Sequence, residues 1–430
     1  MTRPFGADVL AYVSNELDQL LAVADAELAS AYPGDLFGRQ PVHTAYVPAQ
    51  HFGPGVASLW GAQAIAALDE FAPAPAEFAA AMGLAPEVAA EVRPLVLAKL
   101  AAEPIEDLRI DFEDGYGSRA DDTEDAHARA AARSLAALLG EDTAPPFTGV
   151  RCKSLEKATR QRAIRTLSVF LGALLEHGRP LPPTFLITLP KVTSAAQVAA
   201  MAVLCERLEA AYWLSHQQRL LFELQVETPQ ALLSPDGAAT IARCVHAAPG
   251  RLAGLHYGTY DYSASLGIAA GYQSIEHPAA DHARAVMQVA AAGTGVRLSD
   301  GSVNVLPVGG RDDVIAAWRL HARLVRRSLE RGFYQGWDLH PGQLVSRYAA
   351  TYAFYREGLP AACDRIRSYA SRAAFGQEEP ATARALAGFL IRGLDCGAFS
   401  GQEVTNLTGL TREDLARARR RGTIPTPDSP

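Results

Sequence analysis

Charged side chains close one apolar run after another in this chain. DFEDG ends with Asp111, Glu113 and Asp114, VRCKS with Arg151 and Lys153, and VETP with Glu227. GTYDY carries Asp261, and DLHPGQ carries Asp338, His340 and Gln343. Two carboxylates brought together raise each other's pKa unless they share a cation. Glu227 and Asp261 have no His or Cys cluster beside them, so an all-oxygen site for Mg²⁺, with Mn²⁺ as the alternative, fits better than zinc. Arg151 ends a β-branched run, where an unpaired guanidinium would be costly. Its fork needs a carboxylate, either that of a substrate acid or that of Glu113 or Asp114. Gly258 and Thr259 could turn backbone N–H groups toward an anion, and His340 could serve as an acid, a base or a substrate donor. Each residue also has a plainer reading as a helix cap, a structural ion pair or a satisfied core histidine. What capping does not explain is five such endings on one rim.

A rim of that kind needs elements that alternate. Short apolar segments occur at 43–48, 107–114, 147–154, 184–192, 220–228, 251–261, 302–308 and 336–342. Most are separated by Ala- and Leu-rich stretches of helical periodicity, such as TEDAHARAAARSLAALL. Eight strands with helical crossovers predict an α/β protein, a (β/α)8 TIM barrel over an open doubly wound sheet. The barrel is expected over 41–343, after an N-terminal helical segment at 1–40. Residues 49–105 read as a helical insertion after the first strand. Residues 344–430 read as a C-terminal helical lid or cap, ending in a disordered Pro-rich tail, GTIPTPDSP.

Composition sets the outer bounds. The chain has 430 residues, is 49% hydrophobic and 20% charged, and carries a net charge of −7. That balance excludes a disordered or collagen-like chain and argues against bulk nucleic-acid binding. The basic stretch TREDLARARRRG reads as a solvated helix end. Five scattered cysteines without a CxxC pair predict neither a disulfide framework nor a zinc knuckle. With no signal-peptide core and no long apolar run, a cytoplasmic protein without a membrane span is expected.

The motifs, taken in order, resemble the citrate lyase β-subunit-like branch of the HpcH/HpaI aldolase superfamily, which includes malyl-CoA lyases. HTAYVP, RIDFEDGYG, GVRCKS, LPKVTSAAQV, LQVETPQALL, YGTYDYSASLG, the segment through SVNVLP, and WDLHPGQL follow the family order over about 43–348. The resemblance implies a barrel of the phosphoenolpyruvate/pyruvate type, with Glu227 and Asp261 as Mg²⁺ ligands and Arg151 as a clamp on the substrate carboxylate. It further implies that Glu113 and Asp114 line the site, and that Asp395 in RGLDCGAFS stands where malyl-CoA lyases carry a lid acid reaching a neighbouring subunit. Lys153 stands where the family has Asn, Ser265 where it has a second acid, and Cys396 interrupts the lid motif.

The implied activity is Mg²⁺-dependent carbon–carbon cleavage or condensation of a 2-oxo or hydroxy acid, free or as a CoA thioester, with Lys153 among the substrate-binding groups. Malate synthase-like condensation of glyoxylate with an acyl-CoA, acyl-CoA thioester hydrolysis, and a non-enzymatic binding barrel are the alternatives. By analogy the chain would form a homo-oligomer, a trimer or hexamer, with small carboxylic acids rather than nucleic acid or membrane as partners.

Overall fold

The computed structural model describes residues 6–176, 180–373 and 380–423. Helix α1 (Ala7–Ala31) opens the described chain and buries none of its residues. Strand β1 (His43–Pro48) follows, then α2 (Val56–Phe71), α3 (Pro75–Met82) and α4 (Pro86–Ala102), which fill the stretch expected to be a helical insertion. Next come β2 (Asp107–Asp111), α5 (Asp121–Leu138), β3 (Phe147–Arg151), α6 (Arg160–Leu174), β4 (Phe185–Leu189) and α7 (Ala195–Ala211). Strand β5 (Leu221–Val226) leads into short helices α8 (Pro229–Leu232) and α9 (Thr240–His246). Strand β6 (Leu252–Tyr257) leads into α10 (Thr259–Ser265) and α11 (Pro278–Ala291). The last strands, β7 (Arg297–Ser299) and β8 (Gly336–Asp338), flank α12 (Arg311–Glu330). Four helices end the described chain: α13 (Pro341–Ala373), α14 (Pro380–Cys396), α15 (Gly401–Thr408) and α16 (Arg412–Arg421). The expected disordered tail lies, from residue 424 onward, outside the described residues.

The eight strands are parallel and run in the order β7-β6-β5-β4-β3-β2-β1-β8. Closure comes just beyond β7, where the Asp300 N–H donates to the Gln335 carbonyl at 2.8 Å and Ser302 bridges Trp337. The fold is the expected (β/α)8 barrel, with one strand corrected. The seventh strand is Arg297–Ser299, and 302–308 contributes only the Ser302 bridge. Pro307 has no N–H to give a ladder, and Val305 and Val308 face solvent.

The barrel interior is not an aliphatic core. Side chains alternate across a strand, so in β2 Leu108 and Ile110 pack outward while Asp107, Arg109 and Asp111 point inward. Arg109 is fully buried and donates to both oxygens of Glu223 at 3.0 Å and to Asp107 at 2.5 Å. Asp107 in turn accepts from Thr44 at 2.9 Å. Glu223 also meets His256 Nε2 at 2.9 Å, and Trp337 Nε1 donates to His256 Nδ1 at 3.0 Å. An indole N–H only donates, so the His256 proton sits on Nε2 and points at Glu223. Gly149 makes room for this column. A Cβ there would lie 2.0 Å from the Leu186 carbonyl oxygen and 2.9 Å from Arg109 Nη1.

Candidate active site

The carboxyl ends of the strands surround a cavity of about 280 Å³. Arg151, Glu227 and Asp261 line it, together with Asp111, Asp114, Tyr46 and Trp337. Gly258 and Thr259 form part of the same wall. The Thr259 hydroxyl donates to the Ser302 carbonyl at 3.2 Å, which leaves that side chain engaged with the backbone.

Register sets the position of Arg151, which stands directly opposite Asp111 on paired parallel strands. Its Nε and Nη2 donate to the two Asp111 oxygens, each at 2.6 Å. Asp111 is thus the principal partner, in place of Glu113 or Asp114. Glu113 stands 3.5 Å from Nη1, which also donates to Gln225 at 3.4 Å. Asp111 further accepts the backbone N–H groups of Glu113 and Gly115 at 2.8 and 2.9 Å, which ties the DFEDG turn to the guanidinium. The guanidinium lies 4.7 Å from the Tyr46 ring and 6.0 Å from the Trp337 ring. Burial alone would lower its pKa, but Asp111 outweighs burial and holds it well above the ordinary value, so Arg151 stays charged.

Glu227 extends the inward-facing set of β5 and is 3% exposed. One oxygen accepts the Lys191 N–H at 2.7 Å. Burial is the main force that pushes its pKa up to about 8, with Glu113 and Asp261 adding to the rise and Lys191 and Arg151 opposing it. Gly258 is required beside it, because a Cβ there would come within 2.4 Å of the Glu227 Cβ and 2.7 Å of Oε2. Asp261, in the first turn of α10, has a side chain 48% exposed.

Lys191 binds the acidic side of the cavity together. Its ammonium lies 2.8 Å from Glu113, 2.8 Å from Asp114 and 3.2 Å from Asp261. Burial would lower its pKa, but Glu227, Glu113 and Asp114 outweigh that and hold it well above the lysine range. Asp114 is shifted down, because Lys191 overcomes its burial. Glu113 is shifted up by burial, against Arg151 and Lys191.

Three anticipated residues lie elsewhere. Lys153 points behind the site and straps the loop after β2, donating to the carbonyls of Phe112 at 2.7 Å and Gly117 at 3.2 Å and pairing with Glu124 at 3.0 Å. His340 does not line the cavity; its Nδ1 accepts the Gly342 N–H at 3.1 Å at the start of α13, and burial lowers its pKa. Asp395 pairs with Arg412 and lines a different cavity, at the amino ends of the strands. Asp338 faces outward from β8, where Arg347 at 2.9 Å and His43 at 2.9 Å hold it as a structural anion. Gln343 braces the rim, accepting from Leu339 N–H and donating to the Val303 carbonyl, both at 2.8 Å. The residues missed in the sequence are Asp111 as the guanidinium's partner, and Tyr46 and Trp337 as its aromatic walls. Strict alternation through 107–113 signals the first.

The donor set fits a hard divalent ion. Among the described residues no group of three or more His, Cys, Asp or Glu side chains is placed to hold a metal ion by itself. Glu227 and Asp261 share one cavity, which suits an ion that takes one or two carboxylates and keeps open positions. A carboxyl group whose pKa burial raises, as it does that of Glu227, would be held in its charged form by such an ion.

Fold and site together define a (β/α)8 barrel with an arginine–carboxylate cavity at the catalytic end of its strands. The chain belongs to the family described as "Domain of unknown function (DUF6986)", whose model matches residues 21–422. No curated protein matches it. Among solved structures, a citrate lyase from Burkholderia xenovorans LB400 is similar at 20% identity and a TM-score of 0.55, covering 86% of this chain and 96% of that one. A citrate lyase beta subunit from M. tuberculosis, complexed with oxaloacetate and magnesium, aligns at 19% identity and a TM-score of 0.42 over 73% of this chain and 98% of that one. The Haloferax volcanii malate synthase magnesium/glyoxylate complex aligns at 15% identity and 0.44 over 72% and 75%. At such identities the first likeness is one of fold alone.

Proposed function

We propose that this protein is a Mg²⁺-dependent carbon–carbon lyase acting on a short 2-oxo or hydroxy acid. The observation that carries this reading is the convergence of Arg151, Glu227 and Asp261 on one cavity at the carboxyl ends of the strands. At about 280 Å³ the cavity is at the small end of ligand sites, which run from roughly 300 to 1,000 Å³. A short acid fits it. The bulk of a CoA thioester would lie outside.

Glu227 and Asp261 would hold the ion, which supplies positive charge beside the substrate oxygen on which negative charge develops. Arg151, locked in orientation by Asp111 and the two aromatic rings, presents Nη1 toward a substrate carboxylate. Lys191 keeps Asp114 ionised at the cavity edge. Asp114 borders the cavity and is a candidate to accept the hydroxyl proton during cleavage; His340 is not among the residues lining it. The five free, buried cysteines fit a reducing, cytoplasmic setting.

The test is a screen of 2-oxo and 3-hydroxy acids, free and as CoA thioesters, for Mg²⁺-dependent release of pyruvate, glyoxylate or acetyl-CoA. Glu227→Ala and Asp261→Ala should each abolish metal-dependent turnover while the far-UV circular dichroism of the barrel persists. Full activity of either variant in the presence of a chelator would refute the metal assignment.

A further inference from the structure

At the opposite end of the barrel three arginines face a second cavity, of about 240 Å³. Arg297 opens β7, Arg392 belongs to α14, and Arg419 belongs to α16. Elements distant in sequence thus bring three positive charges to one place. Each guanidinium is braced by a ring rather than by an acid. Arg392 lies 4.1 Å from the Tyr334 centroid, Arg419 lies 5.6 Å from Phe37, and Arg297 lies 5.8 Å from Phe147. Arg419 also donates to the Leu36 carbonyl at 3.2 Å. Among the described residues none of the three has a carboxylate within the 4.0 Å of an ion pair.

Two acids border the cavity without forming an ion pair to any of the three arginines. Asp395 is taken up by Arg412, and Asp35 pairs with none of the three arginines. Burial lowers the pKa of both Arg297 and Arg419, and like charge adds to it, from Arg419 on the first and Arg392 on the second, against Asp107 and Asp395 on the first and Asp35 and Asp395 on the second. Planar guanidiniums held in place by rings, with no carboxylate in ion-pair contact, are arranged for bidentate contact with an oxyanion. Partly buried cationic groups without a paired anion cost the fold more than fully solvated ones.

We propose that the amino-terminal mouth of the barrel is a binding site for a small oxyanion of at least two negative charges, seated between Arg297, Arg392 and Arg419. The site is separate from the catalytic cavity, since its walls come from the segments that enter the strands rather than from those that leave them. Phosphate and carboxylate groups share the required chemistry, and the experiment distinguishes them.

Isothermal titration of the full-length, metal-free protein with inorganic phosphate and, separately, with citrate reads the site directly. At least one of the two should bind at a single site with a dissociation constant below about 1 mM, weakening as salt is raised. Arg392→Gln and Arg419→Gln, made singly so that each fold can be checked by circular dichroism, should each weaken that binding at least tenfold. If neither anion bound up to 10 mM, or binding stayed unchanged in a folded variant, the proposal would be overturned.

Discussion

Glu227 sits where a carboxylate keeps its charge only with help. Its pKa near 8 in the folded chain, against 4.5 for the ordinary side chain, means that the native state holds an extra proton between those two values. Stability of the metal-free protein should therefore fall as pH rises from about 4.5 to about 8. Glu227→Gln, which cannot ionise, should flatten that part of the profile, and thermal melts across the range in the presence of a chelator measure it. Arg151 depends on Asp111 in the complementary way. Asp111→Asn would leave a buried guanidinium without its main counter-charge, at a cost of about 3–5 kcal/mol in urea unfolding. Glu227, Asp261 and Arg151 were legible because each ends an apolar run. His340 lies off the cavity lining, at a His-Pro helix start that serves equally as a cap. Lys153 was misread because period-two alternation tells which face a residue takes within a strand, but not where a side chain points beyond the strand's end.

At the scale of elements, strand ends and the glycines beside them fix the site. Gly258 leads from β6 into α10, at a φ any residue can adopt, so its role is space rather than backbone freedom. Gly258→Ala should push Glu227 aside, and a displacement of about 1 Å can cost on the order of 100-fold in turnover. Overpacking should also lower stability by about 1–3 kcal/mol, so turnover measured well below the lowered thermal midpoint separates displacement from unfolding. Seven strands were readable from apolar runs bounded by turn residues. The seventh was not, because VRLS is only a short run and the longer apolar stretch after it contains Pro307. The positions of α14 and α16 were also beyond reach. Asp395 matched a local motif, but the packing of the C-terminal helices, which carries it to the amino end of the barrel, is not written in its neighbours.

For the whole molecule, the fold divides into parts that bear stability and parts that do not. Helix α1 buries no residue, so deleting residues 1–31 should leave the thermal midpoint of the dilute protein within about 2 °C. The Arg109–Glu223–Asp107 column is the opposite case, and Glu223→Gln should destabilise the chain by several kcal/mol, of the order of 3–5. The architecture was legible from the number and order of its elements. The ionic filling was not anticipated, because the alternation of 107–113 was read only at its end.

One wall of the catalytic cavity is an indole. Trp337 borders the space a substrate would enter and lies 6.0 Å from the guanidinium, whereas Trp318 is buried under the helices and Trp213 is 92% exposed. Its ultraviolet emission should therefore report occupancy without any attached dye. Glyoxylate added with Mg²⁺ should shift or quench the spectrum, and Trp337→Phe should render the titration silent over the steady background of the remaining three tryptophans.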